Sequence, residues 1–235
     1  MRDLTDTEQA HLESFNEIRE CEYVVVDFEH EGVWGEEFGD LASVFEDLPD
    51  WEGTILDPSL AQGVVGISEL SSCWHTVDTR RHLSGEFSIT EFYECLLRRP
   101  PDLGWDGSPP DEIRFFSELR VIDDTPRAAN GLMGAVRIQK DVNPLEIWYY
   151  DKDLSRTPGF DLDYLRMDLD YHGYLDALLL TKGTFGWQYL FTEAPLHNER
   201  FREIAADLKY MLELFPNIFP DHDYTDLAKR LEDRL

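Results

Sequence analysis

Cys73-Trp74-His75, followed by Asp78 and His82, is where metal-ligand residue types crowd together in this sequence. A zinc ion needs ligands in pairs at fixed spacing, as in CxxC or HxxxH, so that two side chains face one ion. Here the histidines lie seven positions apart and the cysteine is adjacent to one of them. The expectation is a buried thiol and a satisfied surface histidine, not a metal site. Asp161, Asp163, Asp168 and Asp170 offer the oxygens calcium prefers, but a calcium loop wants glycine sixth and glutamate twelfth. Counting from Asp161, those places hold Arg166 and His172. The aspartates read as helix caps and solvated charge. Asp221-His222-Asp223 would suit a histidine base flanked by acids, yet it also has the form of a capped, exposed helix start, which is the reading preferred. Lys182-Gly183-Thr184 is a phosphate-loop fragment without its leading glycine and reads as a helix stop. No GxSxG elbow, complete phosphate loop or dinucleotide fingerprint is present. With 49 acids in the chain, a carboxylate pair for hydrolysis cannot be singled out. The expectation is a non-catalytic protein with no metal and no cofactor.

The elements that would carry these residues read as follows. Residues 5–20 form a polar helix with a thin stripe of Leu12, Phe15 and Ile18, opened by a Thr5/Glu8 capping box. Glu22 to Phe28 is β-branched and aromatic, a strand. Glu36 to Leu48 is a helix with Phe38, Leu41, Phe45 and Leu48 on one face, ended by Pro49. Val64 to Leu70 is a short strand, and Ser88 with Glu91 caps a short helix through Leu97. Pro100 to Pro110 is the best internal boundary. The chain reads as one domain over 1–235; if it has two lobes, they divide near 100–110. Glu112 to Asp123 is strand-like at its end. Ala135 to Gln139 and Leu145 to Tyr150 form a hairpin across Asp141 to Pro144. Asp168 or Asp170 then opens a helix with Tyr171, Tyr174, Leu175, Leu178 and Leu179 on one stripe, and Gly183 stops it. Phe185, Trp187, Tyr189, Leu190 and Phe191 are too apolar to leave in water. A further helix runs from Phe201 to Phe215, stopped by Pro216, and Asp221 or Asp223 caps a last one through Leu231. Strands bracketed by helices without regular β-α-β alternation predict an α+β fold: a mainly antiparallel sheet with helices packed on one face.

Charge narrows the partners. Forty-nine acids against 21 bases give a net charge of -28, and residues 1–60 hold 18 acids against only Arg2 and Arg19. Such a field repels nucleic acid and anionic membrane and attracts basic partners, although solubility or salt adaptation would produce the same acidity. The opening residues are acidic and polar, unlike a secretory or transit segment, and no apolar run approaches a membrane span. Three widely spaced cysteines suit reduced thiols in a cytoplasm.

Glu146 to Asp151, Tyr174 to Gly183, Phe185 to Phe191 and the tail Phe219 to Tyr224 together resemble the SMI1/KNR4 (SUKH) superfamily, over about residues 112–235. The superfamily's early Leu-Pro helix entry followed by an Asn-Gly turn is not evident; Asn130-Gly131 comes late for it. The resemblance implies a SUKH-like α+β fold without catalysis. It also implies an immunity protein that neutralises a cognate toxin, often a nuclease, or a regulatory protein of the fungal type.

The resulting expectation is a cytoplasmic binding protein that meets a basic partner, a toxin domain by this resemblance. Its acidic face would be Glu36, Glu37, Asp40, Glu46, Asp47, Asp50, Glu52 and Asp57. The alternatives are a regulatory or scaffold protein without a toxin, and a hydrolase using carboxylates with His75, His172 or His222.

Overall fold

A computed structural model describes residues 2–35, 54, 56, 60, 63–77, 79–156 and 163–235. Helix α1 (Asp6–Glu20) starts at the expected box: Glu8 N donates to Thr5 Oγ1 at 3.2 Å, and Thr5 N donates to Glu8 Oε2 at 2.8 Å. Phe15 and Ile18 are buried, but so are Glu8, His11 and Ser14, so the inner face of this helix is as polar as it is apolar.

Among the described residues, seven strands follow in a meander, each hydrogen-bonded to the next in chain order and antiparallel to it. They are β1 (Val24–Glu31), β2 (Leu70–Thr76), β3 (Ser84–Ile89), β4 (Leu119–Asp124), β5 (Leu132–Arg137), β6 (Glu146–Asp151) and β7 (Tyr164–Arg166). The predicted β5–β6 hairpin forms, with Ala135 opposite Trp148 and Val136 opposite Ile147. The antiparallel α+β class is therefore as the sequence indicates.

Several local expectations are corrected. Val64 to Leu70 is not a strand; Ile67 makes an isolated bridge to Trp34, and β2 begins where that segment ends. Ser88 caps nothing, because it lies within β3, and α2 (Phe92–Leu97) starts without a side-chain cap. The stretch before β4 is helical, α3 (Pro110–Ser117), since Pro110 suits a first turn. The Glu36–Leu48 helix lies outside the described residues.

Alternation along β5 and β6 sorts the two faces of the sheet. Val136, Ile147 and Tyr149 enter the main core with Tyr174 and Leu178 of α4 (Tyr171–Thr181). Ala135 and Trp148 point the other way, into a separate cluster with Phe115 and Phe116 of α3. Phe115 sits edge-on to Trp148 at 4.7 Å and stacks on Tyr164 at 4.3 Å. Helices thus cover both faces, not one: α3 closes the outer face over β5–β7.

Asp170 caps α4, its Oδ1 accepting from Gly173 N at 2.8 Å. The helix ends in left-handed backbone at Lys182 and Gly183 (φ 53° and 70°). The 3-10 turn Trp187–Phe191 is buried throughout, and Trp187 is wholly enclosed beside Tyr174 at 4.9 Å. Burying side chains of this size contributes about 1.5–3 kcal/mol each. Helix α5 (Arg202–Ile218) runs through Pro216 instead of stopping there. A proline in the last turn deletes one hydrogen bond without ending a helix whose face, Ala205, Leu208, Met211 and Phe215, is already buried. Helix α6 (Thr225–Glu232) closes the chain.

Candidate functional site

On the outer face, the β1–β4 half carries polar side chains instead of the aromatic cluster under α3. Strands β3 and β4 are registered through one pair, Ile89 with Asp123. Ser88 N, with no strand partner there, donates to Asp123 Oδ1 at 2.8 Å. Next to this junction opens a pocket of about 430 Å³, lined by Glu69, Ser88, Thr90, Arg98, Asp124 and Arg127 with an apolar wall of Phe28, Val121, Ile122 and Pro126.

The framework of the pocket is fixed by hydrogen bonds. Glu86, 3% exposed, accepts from Arg127 N at 2.6 Å and Ala128 N at 2.7 Å, which folds the loop after β4 back over β3. The Arg127 guanidinium lies on the Phe28 ring at 3.6 Å. Glu69 accepts from Ser71 Oγ at 2.7 Å. Burial pushes the Asp124 carboxyl above its ordinary value, the Glu86 and Glu69 carboxylates push it further, and Arg98 and Ser88 pull it partly back. Thr90 is buried, and its Oγ1 has no hydrogen-bond partner. The pocket offers recognition by charges of both signs, hydroxyls and one aromatic wall.

A second cluster joins α1, the end of α4 and the segment before α6. Lys182, whose side chain is fully buried, donates to Glu17 Oε2 at 2.5 Å and Ser14 Oγ at 2.8 Å. His222 Nε2 stands 2.8 Å from Glu17 Oε2 and 3.2 Å from the Lys182 ammonium. Burial lowers Lys182 below the usual lysine range, and Glu17 partly restores it. Burial raises Glu17, but its bonds to His222 and Lys182 outweigh that and leave it lowered. Burial, with the Lys182 charge, pushes the enclosed His11 down to about 3. Lys182, read from the sequence as part of a helix stop, also ties the end of α4 to α1. His222 is corrected: it is half-buried and oriented by Glu17, while Asp223 accepts from Thr225 N at 2.9 Å.

The other sequence candidates separate. His75 Nδ1 pairs with Asp27 at 2.7 Å and its ring stacks on His82 at 5.2 Å. Burial pushes the Cys73 thiol up, and the carboxylates of Glu86 and Asp27 add to that. Asp78 lies outside the described residues. Among the described residues, no group of three or more His, Cys, Asp or Glu side chains could hold a metal ion. His172, its Nε2 without a partner, borders a cavity of about 40 Å³ beside Asp170 and Pro144, away from both His75 and His222. Of the four aspartates, Asp170 caps α4, Asp163 accepts from Ser155 N at 2.7 Å and Asp168 approaches Arg230 at 3.7 Å; Asp161 lies outside the described residues. So do all eight residues of the expected acidic face: Glu36, Glu37, Asp40, Glu46, Asp47, Asp50, Glu52 and Asp57.

The outer-face pocket escapes sequence reasoning because Glu69, Thr90, Arg98, Asp124 and Arg127 are scattered over 59 positions with no motif spacing. The signal that was there is Asp123-Asp124, two acids ending a strand whose other residues are Leu119, Arg120, Val121 and Ile122. Among the described residues, no helix is long and apolar enough to cross a membrane. Compared with protein-family models, curated proteins and solved structures, the chain gives no significant match.

Proposed function

We propose that this is a non-catalytic, cytoplasmic binding protein that neutralises or sequesters a basic protein partner, in the manner of the SUKH-type immunity proteins its second half resembles. The observation that carries the reading is charge: a net -28 over 235 residues, with 18 acids against two bases in the first 60. A field of that sign and density steers a basic surface, such as the phosphate-binding face of a nuclease, into fast encounter, and it disfavours direct binding of nucleic acid. The face assigned to the partner is Glu36, Glu37, Asp40, Glu46, Asp47, Asp50, Glu52 and Asp57.

The test is to express the protein encoded beside this gene and measure its association with the full chain by surface plasmon resonance at low and high salt. Formation of a complex whose association rate falls steeply with salt is expected, as is slower association when Glu36, Glu37, Asp40 and Asp47 are changed to Lys. Co-expression should also relieve any toxicity of the partner. No complex, or a rate indifferent to both salt and charge reversal, overturns the reading.

A further inference from the structure

We propose that the pocket at the β3–β4 junction binds a small zwitterion of the α-amino-acid class, its ammonium between Glu69 and Asp124 and its carboxylate against Arg98 and Arg127. Four charged side chains, two of each sign, line this pocket of about 430 Å³. Among the described residues, no ion pair within 4 Å joins either acid to either base: Arg98 reaches only Glu94, at 3.8 Å, and Arg127 rests on Phe28. Opposite charges around one cavity ordinarily close on each other. They do so nearby, where Arg137 meets Glu118 at 2.8 Å and Glu146 at 3.4 Å. Here the scaffold keeps them apart. Ser71 holds Glu69 at 2.7 Å, the Phe28 ring holds Arg127, and the Glu86 carboxylate pins the Arg127 backbone.

Charges held apart in this way are complementary to a ligand that carries both signs itself. Ser88 and Thr90 add hydroxyl-bearing residues to the lining. The volume lies in the lower part of the range for small-molecule sites, roughly 300–1,000 Å³. Phe28, Val121, Ile122 and Pro126 give the wall an apolar side chain would meet. A polyanion is disfavoured by the two carboxylates and by the charge of the whole chain. The assignment is independent of any protein partner and stands or falls separately from it.

Isothermal titration calorimetry on the full chain tests this, with L-leucine and L-phenylalanine as probes. The controls are the matching amines without a carboxylate and the matching acids without an amine. The amino acids are expected to bind at millimolar concentration or below, and each truncated control about tenfold or more weaker, the size of one lost charge-assisted hydrogen bond. Asp124→Asn and Arg98→Gln should each weaken amino-acid binding to a similar degree. Arg98 is half exposed, so its variant should keep the melting temperature of the parent. An amine that binds as tightly as its amino acid would show a cation socket and overturn the proposal. No heat from folded protein at millimolar amino acid, or unchanged binding by both variants, would do the same.

Discussion

Tyr174 reaches from α4 to Asp123 on β4, hydroxyl to carboxylate at 2.8 Å, over the position where Gly134 of β5 has no side chain. A Cβ at Gly134 would stand 2.4 Å from the Tyr174 hydroxyl. Helix and sheet are thus keyed together by one polar contact inside the main core. Tyr174→Phe leaves Asp123 with a single donor, Ser88 N, and should cost about 1–3 kcal/mol. Gly134→Ala should displace the same ring. Because both changes break one contact, urea denaturation of the double variant should show less than the sum of the two losses.

Asp123 also sets a pH dependence. Burial, followed by the nearby Asp124 and Glu86 carboxylates, pushes its carboxyl up to about 7 against an ordinary 3.8, despite the opposing bonds from Ser88 and Tyr174. A carboxyl raised on folding binds protons in the native state that the unfolded chain has released. Its contribution is present in full below about 3.8 and is lost as pH rises through about 7. Asp123→Asn should flatten that decline in denaturation curves collected between those limits. His11 acts in the opposite sense: depressed to about 3, it favours the fold above the ordinary histidine value of 6.5, and that advantage is lost as pH falls toward 3. His11→Gln should therefore remove part of the acid sensitivity that Asp123→Asn leaves in place.

Removing the two partners of the buried ion pair should have unequal effects. Glu17→Gln leaves the enclosed Lys182 ammonium without its anion, for a loss of about 3 kcal/mol. Lys182→Met leaves Glu17 partly open to water and still beside His222, so the loss should be smaller. Denaturation of both variants at low and high salt should give the same order, because an enclosed pair is little screened.

Trp187 should report on packing alone. Trp187→Ala is expected to cost about 3–5 kcal/mol. Trp187→Phe should cost distinctly less, because it keeps most of the ring and removes a buried indole N–H that has no partner. Thermal unfolding of the two variants checks the order.

The elements legible in the sequence are those whose signal is local. The Thr5/Glu8 box, the hairpin of β5 and β6, the Asp170 cap and the aromatic run to Phe191 each combine propensity with a stop or start residue a few positions away. Strands β2 and β3 were hidden because Ser71, Ser72, Glu86 and Ser88 are buried polar residues, which erase the alternation that marks a half-buried strand. The α3 segment misled because Ile113 and Phe115 alternate as in a strand, although Pro110 just upstream suits the first turn of a helix. The polar face of α1 and the role of Lys182 were invisible for another reason. A cation is buried only when its partners arrive from elsewhere in the chain, and Glu17 lies 165 positions away. The pocket residues share that problem, since register alone brings them together.

The clamp on Lys182 bears on how the protein is made. The meander can add strand to neighbouring strand as the polypeptide leaves the ribosome, since among the described residues the sheet follows chain order. Glu17 and His222, however, are 205 positions apart and meet on a lysine between them. The first helix therefore lacks this closing contact until residue 222 has been made. A chain that stops short of residue 222 leaves this latch open.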